Sequence, residues 1–223
     1  MSKVVPDAAE SDLDEREPTD IAAESAARRP WTLAIWLILA GIVGEIAAFA
    51  LTLEKLHALA NPGEAASCDF SVLYQCTANL DSPQGSIFGF PNPLIGLIGW
   101  MAPIVVGVSL LAGARFPRWY WAVFNLGMAG AMALVVYLIS QSIYAPNLGT
   151  LCPWCMVTWS VTIPSFWAVT FRNIGAGVFG NAPRLRGAGR ALLTWVVPIT
   201  LICYAVIVLL AQLELNALFR IFI

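Results

Sequence analysis

The stretch TLCPWCMVTW, residues 150–159, sets two cysteines three positions apart where a polar loop gives way to an apolar run. If a helix starts here, the Cys152 sulfur sits among backbone N–H groups that have no partner, at the positive end of the helix dipole, and thiolate is favoured over thiol. Thiolate is the form that attacks or leaves in disulfide exchange. Pro153 suits the first helical position, because its missing N–H would have no partner there, and it stiffens the turn that brings Cys155 back beside Cys152. A reversible disulfide is therefore easy to form. A zinc half-site and a structural staple are the other readings of this spacing. Zinc prefers the Cys-x2-Cys pair in duplicate, whereas the second pair, Cys68 and Cys76, is spaced Cys-x7-Cys.

That second pair lies in a loop of small and polar residues, GEAASCDFSVLYQCTANLDSPQGS (63–86), able to deliver a thiolate. Attack by Cys76 on a Cys152–Cys155 disulfide would give a Cys76–Cys152 mixed disulfide and free Cys155 toward whatever lies between the helices. Such exchange carries two electrons, and inside a bilayer the natural two-electron acceptor is a lipid quinone.

The elements that must position these sulfurs are membrane helices. Hydrophobic residues make up 59% of the 223-residue chain, above the roughly 45–50% of soluble domains, and the mean hydropathy is +0.74. Apolar runs near 31–53, 89–112, 119–141, 153–171 and 191–215 each approach the roughly 20 residues needed to cross a bilayer. They predict an all-α integral membrane fold of five spans. Turn chemistry falls between them, as in NPGEAAS (61–67), AGARFPR (112–118), APNLG (145–149) and GNAPRLRGAGR (180–190). Eight of the fourteen acids lie in the first thirty residues, which read as a disordered acidic cytoplasmic tail preceding a single transmembrane domain, 31–223. With the N-terminus in the cytoplasm, ten of the twelve Lys and Arg face that side, leaving Lys55 and Arg220 outside. Both cysteine pairs then share one oxidising, extracytoplasmic face. A net charge of −2 gives no basis for a nucleic-acid partner.

Other residues have plainer readings. Cys203 in the last span behaves as a small apolar residue. Glu54, Lys55 and His57 read as a solvated helix end, with His57 a candidate for proton uptake, and Glu45 as a carboxyl leaning toward the interface. Trp31, Trp36, Trp100, Trp119, Trp121 and Trp195 suit interfacial anchors, while Trp154, Trp159 and Phe88 suit pocket walls. The Gly41/Gly44 and Gly127/Gly130 pairs predict close helix approach.

CDFSVLYQC (68–76), Ser82 six positions later, SIFGFPNPLIGLIGW (86–100) and LCPWC (151–155) together resemble the vitamin K epoxide reductase family in its bacterial stand-alone form, over roughly residues 31–171. The resemblance implies a four-helix bundle around a quinone, a half-helix near 79–88 over its mouth, and a peripheral fifth helix. It makes Cys152 and Cys155 the quinone-proximal centre, with Cys155 toward the quinone. Cys68 and Cys76 become the shuttle pair, with Cys68 meeting the partner. It adds Ser82 to the catalytic set and assigns a quinone contact to Asn92; Phe88 and Trp159, read above as pocket walls, complete the expected quinone contacts. Trp159 stands where vertebrate members have tyrosine, and Gln84 where the family has tryptophan; both point away from epoxide chemistry.

The expectation is a multi-pass protein of the bacterial plasma membrane that takes electrons from a separate extracytoplasmic thioredoxin-fold protein and passes them to a quinone, menaquinone being favoured. A four-span quinone-linked thiol oxidase with its Cys-x-x-Cys in the first outer loop, and a disulfide-stapled scaffold or transporter, are the alternatives.

Overall fold

The computed structural model describes residues 31–145 and 148–215. The expectations for residues 1–30, for Pro146 and Asn147 of the APNLG turn, and for Arg220 fall outside the described residues. Within them the chain is helical: α1 Trp31–Ala60, α2 Cys76–Asp81, a 3-10 turn Pro83–Ser86, α3 Pro93–Leu111, α4 Arg118–Tyr144, α5 Pro153–Gly175, α6 Pro183–Leu193 and α7 Val196–Leu215. Four of these, α1, α3, α4 and α7, are long and apolar enough to cross a membrane. Together with the all-helical fold they make this a multi-pass membrane protein.

The fourth expected span, 153–171, forms the 23-residue helix α5, which does not reach the hydropathy of the other four. Its polarity is used inside the protein. Ser165 accepts a hydrogen bond from Trp36 Nε1 of α1 at 3.0 Å, and the buried Asn173 donates to Trp121 O and to Asn125 Oδ1 of α4, both at 3.1 Å. The Arg172 guanidinium lies 3.7 Å from the centroid of the Trp121 ring. Helix α5 is the hub, packed against α1, α4, α6 and α7. The expected last span, 191–215, breaks at Thr194 and Trp195 into the amphipathic α6 and the apolar α7.

Helices α1 and α3 approach closely through small residues. A Cβ added at Gly41 would come within 2.5 Å of Ile104 Cγ1, and one at Gly96 within 2.8 Å of Ala48 Cβ; at Gly44 it would collide with the Trp100 ring. The Gly127/Gly130 pair behaves differently. Nothing lies within 4 Å of either added Cβ, so these glycines open space instead of closing it. Trp100 and Trp121 are likewise buried at 7% and 3% exposure, packed as core instead of standing as interfacial anchors, whereas Trp31, Trp119 and Trp195 are exposed.

Helix α7 is docked by a proline defect. Pro164 has no N–H to give the carbonyl of residue 160, four positions back. Tyr204 OH of α7 takes that place, donating to Ser160 O at 2.6 Å. Replacing Tyr204 with phenylalanine should cost about 1 kcal/mol, a fall of about 2–4 °C in Tm for a chain of this size. Thermal unfolding in detergent reads it, and the reactivity of Cys68, Cys76 and Cys152, which belong to another cluster, should stay unchanged.

Candidate active site

The two cysteine pairs meet through a parallel backbone bridge between Tyr74 and Leu151. Leu151 N–H donates to Leu73 O at 2.7 Å, and Gln75 N–H donates to Leu151 O at 3.1 Å. The residues that follow Gln75 and Leu151 are Cys76 and Cys152. Cys152 thus lies one step beyond the bridged Leu151 and Cys76 two steps beyond the bridged Tyr74, so the bridge leaves the two cysteines offset by a single position. Cys76 Sγ and Cys152 Sγ are accordingly 3.5 Å apart, both fully buried.

Cys68 and Cys76 form a disulfide, while Cys152, Cys155 and Cys203 are free. Around the four site sulfurs lie Leu51, Ala66 and Leu80, with Trp154 packed against them. Trp154 therefore shields sulfur, whereas Trp159 and Phe88 do line the cavity described below. A dry shell raises the effective strength of every charge interaction inside it.

Cys152 is the N-cap of α5, and its sulfur accepts the Cys155 N–H at 3.4 Å. The Cys155 thiol, bonded to the same sulfur, is the main influence drawing the Cys152 thiol below its ordinary pKa. The N–H groups of Cys155 and Trp154 act in the same direction; burial and the charge of Asp69 oppose them.

The segment bearing the second pair is pinned. Asp69 Oδ1 caps α2 by accepting from Cys76 N–H at 2.5 Å and Thr77 N–H at 3.1 Å. Thr77 Oγ1 answers by accepting Ala66 N–H at 2.8 Å. Lys55 holds the other end of α2, donating to Leu80 O at 3.0 Å and Asp81 Oδ1 at 2.8 Å, as suits a cation at a helix C-terminus. Glu54 takes both the backbone and the hydroxyl of Ser67, and His57 Nε2 lies 2.9 Å from Glu64 on the surface. The trio expected as a merely solvated helix end is thus the clamp that fixes the loop to α1. Sequence reasoning missed Asn79, whose amide donates to Gln75 O and Thr150 Oγ1 and accepts from Ser142, joining α2 to both segments beneath it.

Below the sulfurs lies a cavity of about 720 Å³, within the range of small-molecule sites. Its wall runs along α4 from Tyr120 to Ser142 and includes Gly99, Gly127 and Gly130, the glycines whose Cβ positions are open. Cys155 reaches this wall and Cys152 does not, so one sulfur faces the relay and the other faces the cavity. Ser82, Phe88, Asn92 and Trp159 also line it. Ser82 caps the 3-10 turn, donating to Asn79 O at 2.7 Å and accepting Gly85 N–H at 3.2 Å. Asn92 donates to Gln84 O at 2.6 Å and accepts Ile87 N–H at 3.2 Å. The half-helix implied near 79–88 is thus two short pieces, α2 and the turn, broken at Ser82. Gln84 bonds Gln141 of α4 at 3.1 Å, tying this lid to the bundle. Glu45 and His57 are absent from the cavity wall.

A helical bundle in a membrane that holds a disulfide in contact with a second cysteine pair, one sulfur of which faces a cavity, defines a membrane thiol–disulfide oxidoreductase. The model of the Vitamin K epoxide reductase family matches residues 35–170, most of the chain. The chain belongs to that family of quinone-linked membrane oxidoreductases. No individual curated protein matches it.

In a Cys68→Ala, Cys76→Ala, Cys203→Ala background, the first ionisation belongs to the Cys152–Cys155 pair. Adding Cys155→Ala should move it to higher pH, because the main influence lowering the Cys152 pKa is gone. Thiolate absorbance in the ultraviolet follows it, and an unmoved midpoint would contradict the assignment.

Proposed function

We propose that the protein passes electrons from a reduced extracytoplasmic thioredoxin-fold protein through Cys68–Cys76 and then Cys152–Cys155 to a quinone, supporting disulfide formation in exported proteins. The observation that carries this reading is the 3.5 Å contact between Cys76 and Cys152, with Cys155 on the cavity wall. That separation is already a near-attack distance.

The exchange balances as follows. A thiolate of the partner attacks Cys68, and Cys76 leaves as thiolate; the partner's second thiol then releases Cys68 and carries away the new disulfide. Cys76 attacks Cys152 of an oxidised Cys152–Cys155 pair, and Cys155 leaves. Cys68 attacks Cys76, expels Cys152 and restores the Cys68–Cys76 disulfide. The thiol assignment in the structure, disulfide above and dithiol below, corresponds to the end of this sequence. Two electrons and two protons then leave the dithiol by way of Cys155 to reduce the quinone to a quinol. Asn92, Phe88 and Trp159, which line the same cavity as Cys155, are the residues that would hold the ring, and Ser82 keeps the overlying turn in place.

Orientation has support from charge. Arg115, Arg118, Arg172, Arg184, Arg186 and Arg190 belong to the loops and helix ends opposite the cysteines, as the positive-inside rule asks of the cytoplasmic side. A protein partner is supported by Phe70 and Val72, between the two shuttle cysteines and each more than 70% exposed. The Ala- and Gly-rich, Arg-over-Lys composition fits a GC-rich bacterial source, and the family resemblance favours menaquinone as the quinone.

The relay predicts that a Cys68→Ala, Cys155→Ala double variant traps a Cys76–Cys152 disulfide, seen as a reducible link between fragments cleaved in the intervening chain. Cys152→Ala or Cys155→Ala should abolish quinone reduction. Cys68→Ala should still take electrons from a small dithiol while failing with the protein partner; normal turnover with that partner would refute the shuttle role.

The open glycines give a separate check. Gly127→Leu or Gly130→Leu should fill cavity space and raise KM for the quinone by roughly tenfold or more, the least expected from one methylene of misfit in an apolar pocket, while exchange between the cysteine pairs proceeds as before.

A further inference from the structure

Cys68, Asp69 and Cys76 place two sulfurs and a carboxylate oxygen within 4.8 Å of one another. Cys152 Sγ stands 3.5 Å from Cys76 Sγ. In the oxidised shuttle two of these donors are consumed by their own bond. Once a dithiol reductant opens that bond, two thiols and the carboxylate stand together, and the Cys152 thiol adjoins them through Cys76. A tetrahedral zinc ion with Zn–S bonds of about 2.3 Å sets its sulfurs about 3.8 Å apart. The Cys76–Cys152 spacing is already close to that value, and Cys68 needs to swing only as far from Cys76 as any broken disulfide allows.

The fourth donor is also prepared. Asp69 is half-buried, and its Oδ1 is fixed by the two N–H groups of α2. Its orientation is therefore set, and Oδ2 remains to serve as a ligand. The apolar surround of Leu51, Ala66 and Leu80 excludes competing water, and the Lys55 clamp keeps α2 in register with Cys152.

We propose that reduction of the Cys68–Cys76 disulfide creates a soft-metal site, with Cys68, Cys76 and Cys152 as thiolate ligands and Asp69 as the carboxylate ligand, that takes Zn²⁺ or Cd²⁺. Binding displaces the thiol protons, so affinity rises with pH. It also ties up the Cys76 and Cys152 lone pairs that exchange requires. A metal-loaded relay is therefore stalled in its reduced form, and the extracytoplasmic level of such ions becomes an input to its rate. Cys155 stays outside the site, on the cavity wall.

The test needs neither quinone nor partner, so its outcome is separate from that of the electron route. The full-length chain in detergent, reduced with a phosphine and stripped of metal, is titrated with Cd²⁺ while thiolate-to-metal charge-transfer absorbance is recorded, and Zn²⁺ is then used to compete. Reduced wild type should bind one ion with the intensity of three thiolates, and protein with its disulfide intact should bind at least roughly a hundredfold more weakly. Cys152→Ser should lower the band by about one third. Asp69→Asn, which keeps the capping oxygen, should weaken binding roughly tenfold. Cys155→Ser and Cys203→Ser should leave the band in place. Absence of binding by the reduced chain overturns the proposal. So does equal binding by the oxidised chain, or a band that survives Cys152→Ser and vanishes in Cys155→Ser.

Discussion

Everything at the site depends on the register of one short backbone pairing. Leu73 and Gln75 clasp Leu151 from both sides, and the next residue on each strand is a cysteine. Two hydrogen bonds thereby bring sulfurs 76 residues apart in sequence into contact. A slip of one residue would carry one cysteine about 3.3 Å along the chain from the other. The pins around the bridge, Asp69 on α2, Asn79 on Thr150 and Lys55 on the α2 carbonyls, all resist that slip. The loop thus needs no long excursion for Cys76 to reach Cys152.

The bundle beneath answers a second constraint, since it must be tight on one side and open on another. Helices α1 and α3 close up through Gly41, Gly44 and Gly96, and α5 ties its neighbours together with Ser165, Asn173 and the carbonyl that Pro164 leaves to Tyr204. The polar groups that lower α5's hydropathy are the ones that join it to other helices; in an apolar solvent each unpaired group would cost several kcal/mol. Space is left along α4, where Gly127 and Gly130 meet nothing.

Much of this was legible in the chain. The helix-start chemistry of Cys152 and Pro153 holds to the residue, and the expected run 119–141 matches Arg118–Tyr144 closely because apolar length dominates there. The four site cysteines do gather at one end of the bundle. Legibility failed where the answer depends on a neighbour distant in sequence. Gly41/Gly44 and Gly127/Gly130 have the same spacing, yet one pair faces Trp100 and Ile104 and the other faces a cavity. Trp100 and Trp121 look like interfacial anchors by position and are buried by partners that no local pattern announces. The bridge itself, one residue on each side, leaves no periodicity to read. Glu54, Lys55 and His57 seemed to be a solvated end because their loop partners lie seven to twenty-six residues away.

The length of the void along α4 has a consequence of its own. From Tyr120 to Ser142 it follows the helix for about 33 Å, comparable to the hydrocarbon thickness of a membrane. A long greasy molecule can therefore keep its head beside the sulfurs while its body stays submerged at every depth. Its supply is then governed by crowding and fluidity in a two-dimensional sea, and dilution of the surrounding water has no hold on it.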